Sequence, residues 1–280
     1  MTDLNVMLAY FLSVLGVSAF LGLLLRRRGG RLAVLAELLA AFSLAACRLE
    51  VRSMEELGEW AGVGPDVTFT VLFLTLLAHA ACWPVVSSNP SVNLLHFLLQ
   101  EAPLRTTLLR LLLQLAGAHL AWLSAGHYWA LELTDMHMIK SLMGSECSTV
   151  LRTSLLLGSA TEAVCSLTFH LLLLALQRRS ALLQVPLLAL TLTLLSYAAS
   201  TSSAGFANPS LAYAVTFNCP GFSFLQYAIV YWLGPLVGVV LAVFIYMGHI
   251  PRLFSKNLLY SQRSRFRTPK RKEEGAKKSS

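Results

Sequence analysis

Asn89-Pro90-Ser91 and Asn208-Pro209-Ser210 repeat one tripeptide in a chain of 280 residues, each ahead of an apolar run too brief to cross a bilayer, residues 92–99 and 211–217. Asn is a strong helix cap and Pro suits the first helical position, so each tripeptide predicts the start of a short helix. A helix that starts at membrane depth brings free backbone N–H groups and a positive dipole end, which are stable only where they line a polar cavity or are buried in protein. Two such starts in duplicated halves predict a pathway at the bilayer midplane, where the Asn89 and Asn208 amides offer donors to a passing water oxygen. The two positive ends raise the energy of any cation between them. The surroundings also match, Ser87-Ser88 and Val92-Asn93-Leu94 about the first box against Phe206-Ala207 and Leu211-Ala212-Tyr213 about the second. A repeat explains this better than two unrelated turns.

Each box sits behind a long apolar segment that carries one acid, Glu37 or Glu162. An acid inside a membrane is costly unless it faces the bundle interior and finds partners, so both are candidate functional residues. His79, His96, His119 and His170 lie in apolar helical segments and are expected to be satisfied core histidines. No His or Cys pair has metal-ligand spacing, so no metal and no cofactor is expected. Gly-x-Ser-x-Gly, a Walker loop, His-Glu-x-x-His and CxxC are all missing, which argues against an enzyme.

Composition supplies the elements that must hold these residues. With 56% hydrophobic and 13% charged residues and a mean hydropathy of +0.64, the chain is too apolar for a soluble domain. Apolar stretches of spanning length cover residues 4–25, 32–47, 67–86, 104–122, 150–176, 181–199 and 227–246, at roughly 20 residues per crossing. The stretch 32–47 is short and needs Arg48 to snorkel. Period-two alternation is absent, so the class is an all-α membrane protein and not a β-barrel. Residues 1–30 form an additional N-terminal apolar helix and basic turn, open to three readings: an extra crossing, a cleaved signal peptide, against which Arg26, Arg27 and Arg28 following the apolar run argue, and a surface helix, against which its uniformly apolar composition argues. Residues 31–250 form a channel-like domain with halves of about 31–124 and 150–250 joined by a polar loop, and 251–280 form a basic tail expected to be disordered.

Eighteen of the 22 Lys and Arg residues fall on one face, with only Arg48, Arg52, Lys140 and Arg152 on the other. The first face and the tail are therefore cytosolic, and Glu50, Glu55, Glu56, Glu59 and Asp66 belong to the opposite loop. The net charge of +8 calls for anionic lipid as partner and no nucleic acid. Cys147, in the loop 124–149, and Cys219 share the face away from the tail, an oxidising lumen, which predicts a disulfide between them.

Six spanning helices with two half-helices, an Asn-Pro box and an acid in each half, and Gly234-Pro235 with Gly238 in the last helix resemble the aquaporin family over residues 31–250. Ser91 and Ser210 stand where that family usually has Ala, and Leu211 where it usually has Arg. Together with Cys219 these departures resemble the intracellular superaquaporin branch; Tyr231-Trp232-Leu233-Gly234-Pro235-Leu236, Arg252-Leu253-Phe254 and Asn257-Leu258 resemble its aquaporin-12 type. The resemblance implies an aquaporin-like right-handed bundle of six transmembrane helices plus two half-helices in an inverted repeat, assembled as a homotetramer with one pore per subunit. It implies that Glu37 and Glu162 hold the loops before the half-helices by accepting backbone N–H bonds. Its selectivity filter falls on Phe69, Ser196, Gly205 and Leu211, with Tyr197 replacing Ser196 on a one-residue slip. The function implied is a passive channel for water and small neutral solutes, glycerol and hydrogen peroxide among them; a non-conducting scaffold is the alternative. Leu211 supplies neither donors nor a cation barrier, which predicts a wider and more apolar vestibule. Lys277-Lys278 near the C-terminus resembles a dilysine retrieval signal read by coat proteins, which places the chain in the endoplasmic reticulum.

Overall fold

Apolar residues on every side let most of this chain wind into helices with no polar face, and no strand occurs among the described residues. The computed structural model describes residues 3–29, 34–58, 62–84, 86–143, 149–217 and 219–248. In chain order the helices are α1 (Asp3–Arg28), α2 (Leu35–Leu57), α3 (Pro65–Cys82), α4 (Pro90–Leu98), α5 (Leu104–Trp129), α6 (Asp135–Met143), α7 (Leu155–Leu176), α8 (Ala181–Ala198), α9 (Pro209–Ala212, continued as a π-helix over Tyr213–Phe217) and α10 (Phe224–Tyr246). Residues 1–243 form one unit and 244–280 a second, described as far as residue 248. Six helices, α1, α3, α5, α7, α8 and α10, are long and apolar enough to cross a membrane. The tail with Lys277 and Lys278 lies outside the described residues.

The helix α2 corrects the sequence expectation. It does not stop at Cys47 but runs on to Leu57, and it buries Arg48, Glu50 and Arg52 instead of leaving them at an interface. Charges can be buried where each finds a partner. His137 Nε2 donates to Glu50 Oε1 at 2.7 Å and Trp129 Nε1 to Glu50 Oε2 at 3.0 Å. Arg52 pairs with Glu55 at 3.2 Å and Glu56 at 2.9 Å, and Lys140 pairs with Glu56. His137 and Lys140 both come from α6, so the expected loop 124–149 is in large part helix, the end of α5 and then α6. Glu59 lies outside the described residues.

The packing is duplicated. In the first half α2 packs on α5 and α3; in the second, α7 packs on α10 and α8; α3 meets α8 between the halves. The short helices exchange, α4 touching α5 and α7 while α9 touches α10 and α2, and α4 and α9 touch each other. Close approach within each half depends on glycine, Gly117 in the first and Gly234 with Gly238 in the second, where a Cβ at Gly234 would stand 2.8 Å from Ser159 O of α7. A Cβ at Gly117 of α5 would meet Leu38 O and stand 3.0 Å from Phe42 N of α2; a Cβ at Gly238 of α10 would meet Ala163 O and stand 2.7 Å from Leu167 N of α7. Small residues at such crossings let backbones touch. Gly238→Leu is therefore expected to force α10 off α7 and cost most of the folded yield, read as loss of the monodisperse peak in detergent; wild-type yield and elution would contradict this packing.

Pro235 explains the winding of α10. It cannot donate to Tyr231 O four residues back, and the residues before it, Ala228–Leu233, are π-helical. Ser166 Oγ of α7 donates to Pro235 O at 2.8 Å, tying the irregular stretch to its neighbour. The additional helix α1 lies along α2 and α3. Met7, Phe11 and Leu15, one turn apart, are buried with Val51, Met54 and Leu72, and Tyr10 stacks on Tyr128 of α5 at 4.1 Å. Its other face is exposed, Leu12 to 73%, as suits a helix bordered by lipid.

Candidate functional site

Both boxes form the helix starts that their residues predict. Asn89 caps α4, its Oδ1 accepting from Ser91 N at 2.8 Å; Asn208 caps α9, its Oδ1 accepting from Ser210 N at 3.1 Å and Leu211 N at 3.4 Å. With the oxygen held by the cap, each amide nitrogen turns outward and crosses to the other loop. Asn89 Nδ2 donates to Ala207 O at 3.1 Å, and Asn208 Nδ2 donates to Ser88 O at 3.2 Å. The accepting residues themselves, Ser88 and Ala207, both adopt φ of 48°, in the left-handed region. Such a conformation is uncommon for side chains other than Gly and persists where its surroundings hold it. The crossed bonds are that hold, and they lock the two helix starts end to end. Both Asn are buried, yet both border a cavity of about 390 Å³.

The serines break the symmetry. Ser210 Oγ donates to Asn208 Oδ1 at 2.8 Å, whereas buried Ser91 Oγ has no partner among the described residues. Glu162 of α7 is fully buried and accepts from Ala207 N at 2.8 Å, Phe206 N at 3.1 Å and Ser203 Oγ at 2.8 Å, so one carboxylate gathers the loop before α9. Tyr231 and Tyr227 add to it, their hydroxyls donating to Ser203 O at 3.1 Å and Pro209 O at 2.9 Å. Glu37 departs from the expectation. Its carboxylate accepts from Gln114 Nε2 at 2.9 Å and faces Arg110 Nε at 3.3 Å; the loop before α4 is reached through Gln114, which also donates to Ser87 Oγ at 3.0 Å, and Ser87 Oγ in turn donates to Asn93 Oδ1 at 3.0 Å. A side-chain relay replaces direct backbone contacts. Gln114, alone in the apolar run 111–116, was the signal for it.

Of the predicted filter, Ser196, Gly205 and Leu211 border the cavity that holds the Asn pair. Gly205 has φ of 59°, and a Cβ there would stand 2.8 Å from Leu195 O, so this position accepts only Gly. Phe69 instead borders a second cavity of about 330 Å³, packing edge-on against Tyr197 at 5.0 Å. Ser196 and Arg48 line both cavities. The Arg48 contribution is absent from the sequence reading. Only 4% exposed, it stands 5.4 Å over the Phe206 ring with Nη2 2.9 Å from Glu55 Oε1. The space near Leu211 is thus not bounded by apolar groups alone.

Cys219 is disulfide-bonded, whereas Cys147 lies outside the described residues. Cys47, Cys82 and Cys165 are free thiols. Three of the histidines hydrogen-bond inside the bundle: His79 Nε2 donates to Ala40 O of α2 at 3.0 Å, His170 Nδ1 to Ser166 O at 2.7 Å, and His119 meets the Tyr213 hydroxyl at 3.1 Å; His96 instead stands partly exposed at the end of α4, 2.6 Å from Glu101. Among the described residues no group of His, Cys, Asp and Glu could hold a metal.

Long apolar helices in duplicated packing, enclosing two short helices that meet end to end over a cavity, define a multi-pass all-α membrane protein of inverted-repeat design. No family model matches the chain. Its relatives are informative. Aquaporin-12 of Mus musculus is 43% identical over 281 aligned positions, covering 97% of this chain and 95% of the relative. Aquaporin-11 of Homo sapiens is 33% identical over 223 positions and aquaporin-11 of Equus caballus 31% over 223, each covering 80% of both chains. The chain belongs to the aquaporin family of membrane channels, in its superaquaporin branch.

Proposed function

We propose that the chain is a passive channel for water and for small neutral solutes such as glycerol and hydrogen peroxide. The observation that carries this reading is the crossed Asn pair in the cavity wall. A primary amide has two N–H donors, and each Asn uses one in its crossed bond. The other is available to a solute oxygen. Two helix N-termini at the same point disfavour cations there, while the neutral donors hold a solute weakly enough to release it. Phe69, Ser196, Gly205 and Leu211 form the filter in this reading, and Glu37 and Glu162 its loop supports.

A cytosolic C-terminus, residence in the endoplasmic reticulum through Lys277 and Lys278 read by coat proteins, and a homotetramer with one pore per subunit belong to the same proposal. The 18 basic residues on one face support the orientation. We further assign Cys147 as the partner of Cys219. Full-length protein in lipid vesicles tests the main claim: inward glycerol or hydrogen peroxide gradients should dissipate faster than in protein-free vesicles. Equal rates would leave the fold to serve as a non-conducting scaffold.

A further inference from the structure

We propose that Arg48 of α2 is the cation-excluding and size-limiting residue of this pore, a charge brought from another helix to the place that Leu211 leaves uncharged. The proposal rests on the channel reading and extends it to selectivity. Arg48 and Leu211 line the same cavity, and Arg48 also lines the second one. Among the described lining residues Arg48 and Ser196 alone are common to the two cavities, and the Ser196 hydroxyl is committed to Ala204 O at 3.1 Å.

Three features of Arg48 fit a pore residue better than a structural ion pair. Its side chain is 96% buried, because 4% is exposed; Nη2 lies 2.9 Å from Glu55 Oε1, and Nη1 has no hydrogen-bond acceptor among the described residues. A buried guanidinium N–H without an acceptor is costly in protein, and Nη1 belongs to a side chain that lines both cavities, where a water or a solute oxygen supplies what the protein does not. Its position is fixed from two sides, by the Phe206 ring at 5.4 Å and by Glu55 at 2.9 Å. Phe206 lies in the loop that Glu162 holds, so the Arg is registered against the Asn208 box. The surrounding charge is one-sided as well. Among the described lining residues of the first cavity Arg48 is the only Lys or Arg and no Asp or Glu occurs, and the second cavity holds Arg48, Arg52 and Arg152 against Glu55 alone.

A fixed positive charge in a narrow, poorly hydrated passage repels cations and offers donors to the oxygen of a neutral solute. The test uses the full-length protein in vesicles, with water and glycerol flux read by light scattering and sodium or guanidinium leak by dye. In Arg48→Leu, neutral flux should persist with a higher glycerol-to-water ratio, and cation leak should rise at least fivefold; Arg48→Lys should stay tight. Arg48→Leu with Leu211→Arg, which returns a guanidinium to the same cavity from α9, should restore exclusion. Leu211→Arg alone covers the case in which Arg48→Leu does not fold: two guanidiniums in one passage should cut neutral flux at least fivefold, and unchanged flux would overturn the assignment. Unaltered cation exclusion and solute ratio in a folded Arg48→Leu would overturn it while leaving the channel intact. Absence of neutral flux in the wild type would instead overturn the channel reading itself, and this assignment with it.

Discussion

Glu162→Leu is expected to abolish stable folding of the second half of the membrane domain. The carboxylate accepts from two backbone N–H groups and one hydroxyl, at 2.8–3.1 Å, in a fully buried position. Leu leaves all three donors unpaired at roughly 1–3 kcal/mol each, a sum comparable to the 5–15 kcal/mol, about, that holds a typical domain together. Ala207 would lose its anchor while still needing a left-handed backbone. Thermal unfolding in detergent should show a large loss of transition temperature or outright aggregation. Glu37→Leu should be milder, because its partners Gln114 and Arg110 are side chains and can turn elsewhere. Equal and small shifts for the two variants would contradict the different roles assigned to these acids.

The second large effect is expected from Asn208→Asp. Aspartate keeps the oxygen that caps α9 but has no N–H, so the bond to Ser88 O, now 3.2 Å long, becomes an oxygen–oxygen repulsion. Losing that bond in a buried site costs about 1–3 kcal/mol, and a negative charge at the meeting point of the helices offers cations a resting place. Neutral-solute flux should fall at least tenfold, and a cation leak should appear. Asn89→Asp breaks the reciprocal bond to Ala207 O and should behave alike. Wild-type flux in either variant would mean that the crossed amides do not shape the passage.

The residues that announce the fold act locally. Asn89-Pro90 and Asn208-Pro209 start helices through their own side chains, and each follows an apolar segment that carries one acid, Glu37 or Glu162, so the crossed loops were legible in outline. The continuation of α2 past Cys47 was not. An Arg immediately after an apolar run reads as a boundary, and the ring of Phe206, far along the chain, with the Glu55 carboxylate makes Arg48 an interior group. The helix α6 was hidden for the same reason, since its polar residues are buried by pairing with Glu50 and Glu56 instead of by apolarity. The π-helical stretches of α9 and α10 have one local signal, Pro235, for α10 alone. Phe69 was assigned by interval, which cannot say which cavity a side chain borders; it lines the second cavity, which shares Ser196 with the Asn cavity.

The most direct test of conduction is osmotic water flux in vesicles of purified, full-length protein, followed by stopped-flow light scattering at several temperatures. Water moving along donors such as Asn89 and Asn208 need not dissolve in hydrocarbon. Flux above protein-free vesicles with a shallower temperature dependence, reduced by Asn208→Asp, is the predicted result. Flux and temperature dependence indistinguishable from bare lipid would contradict the channel.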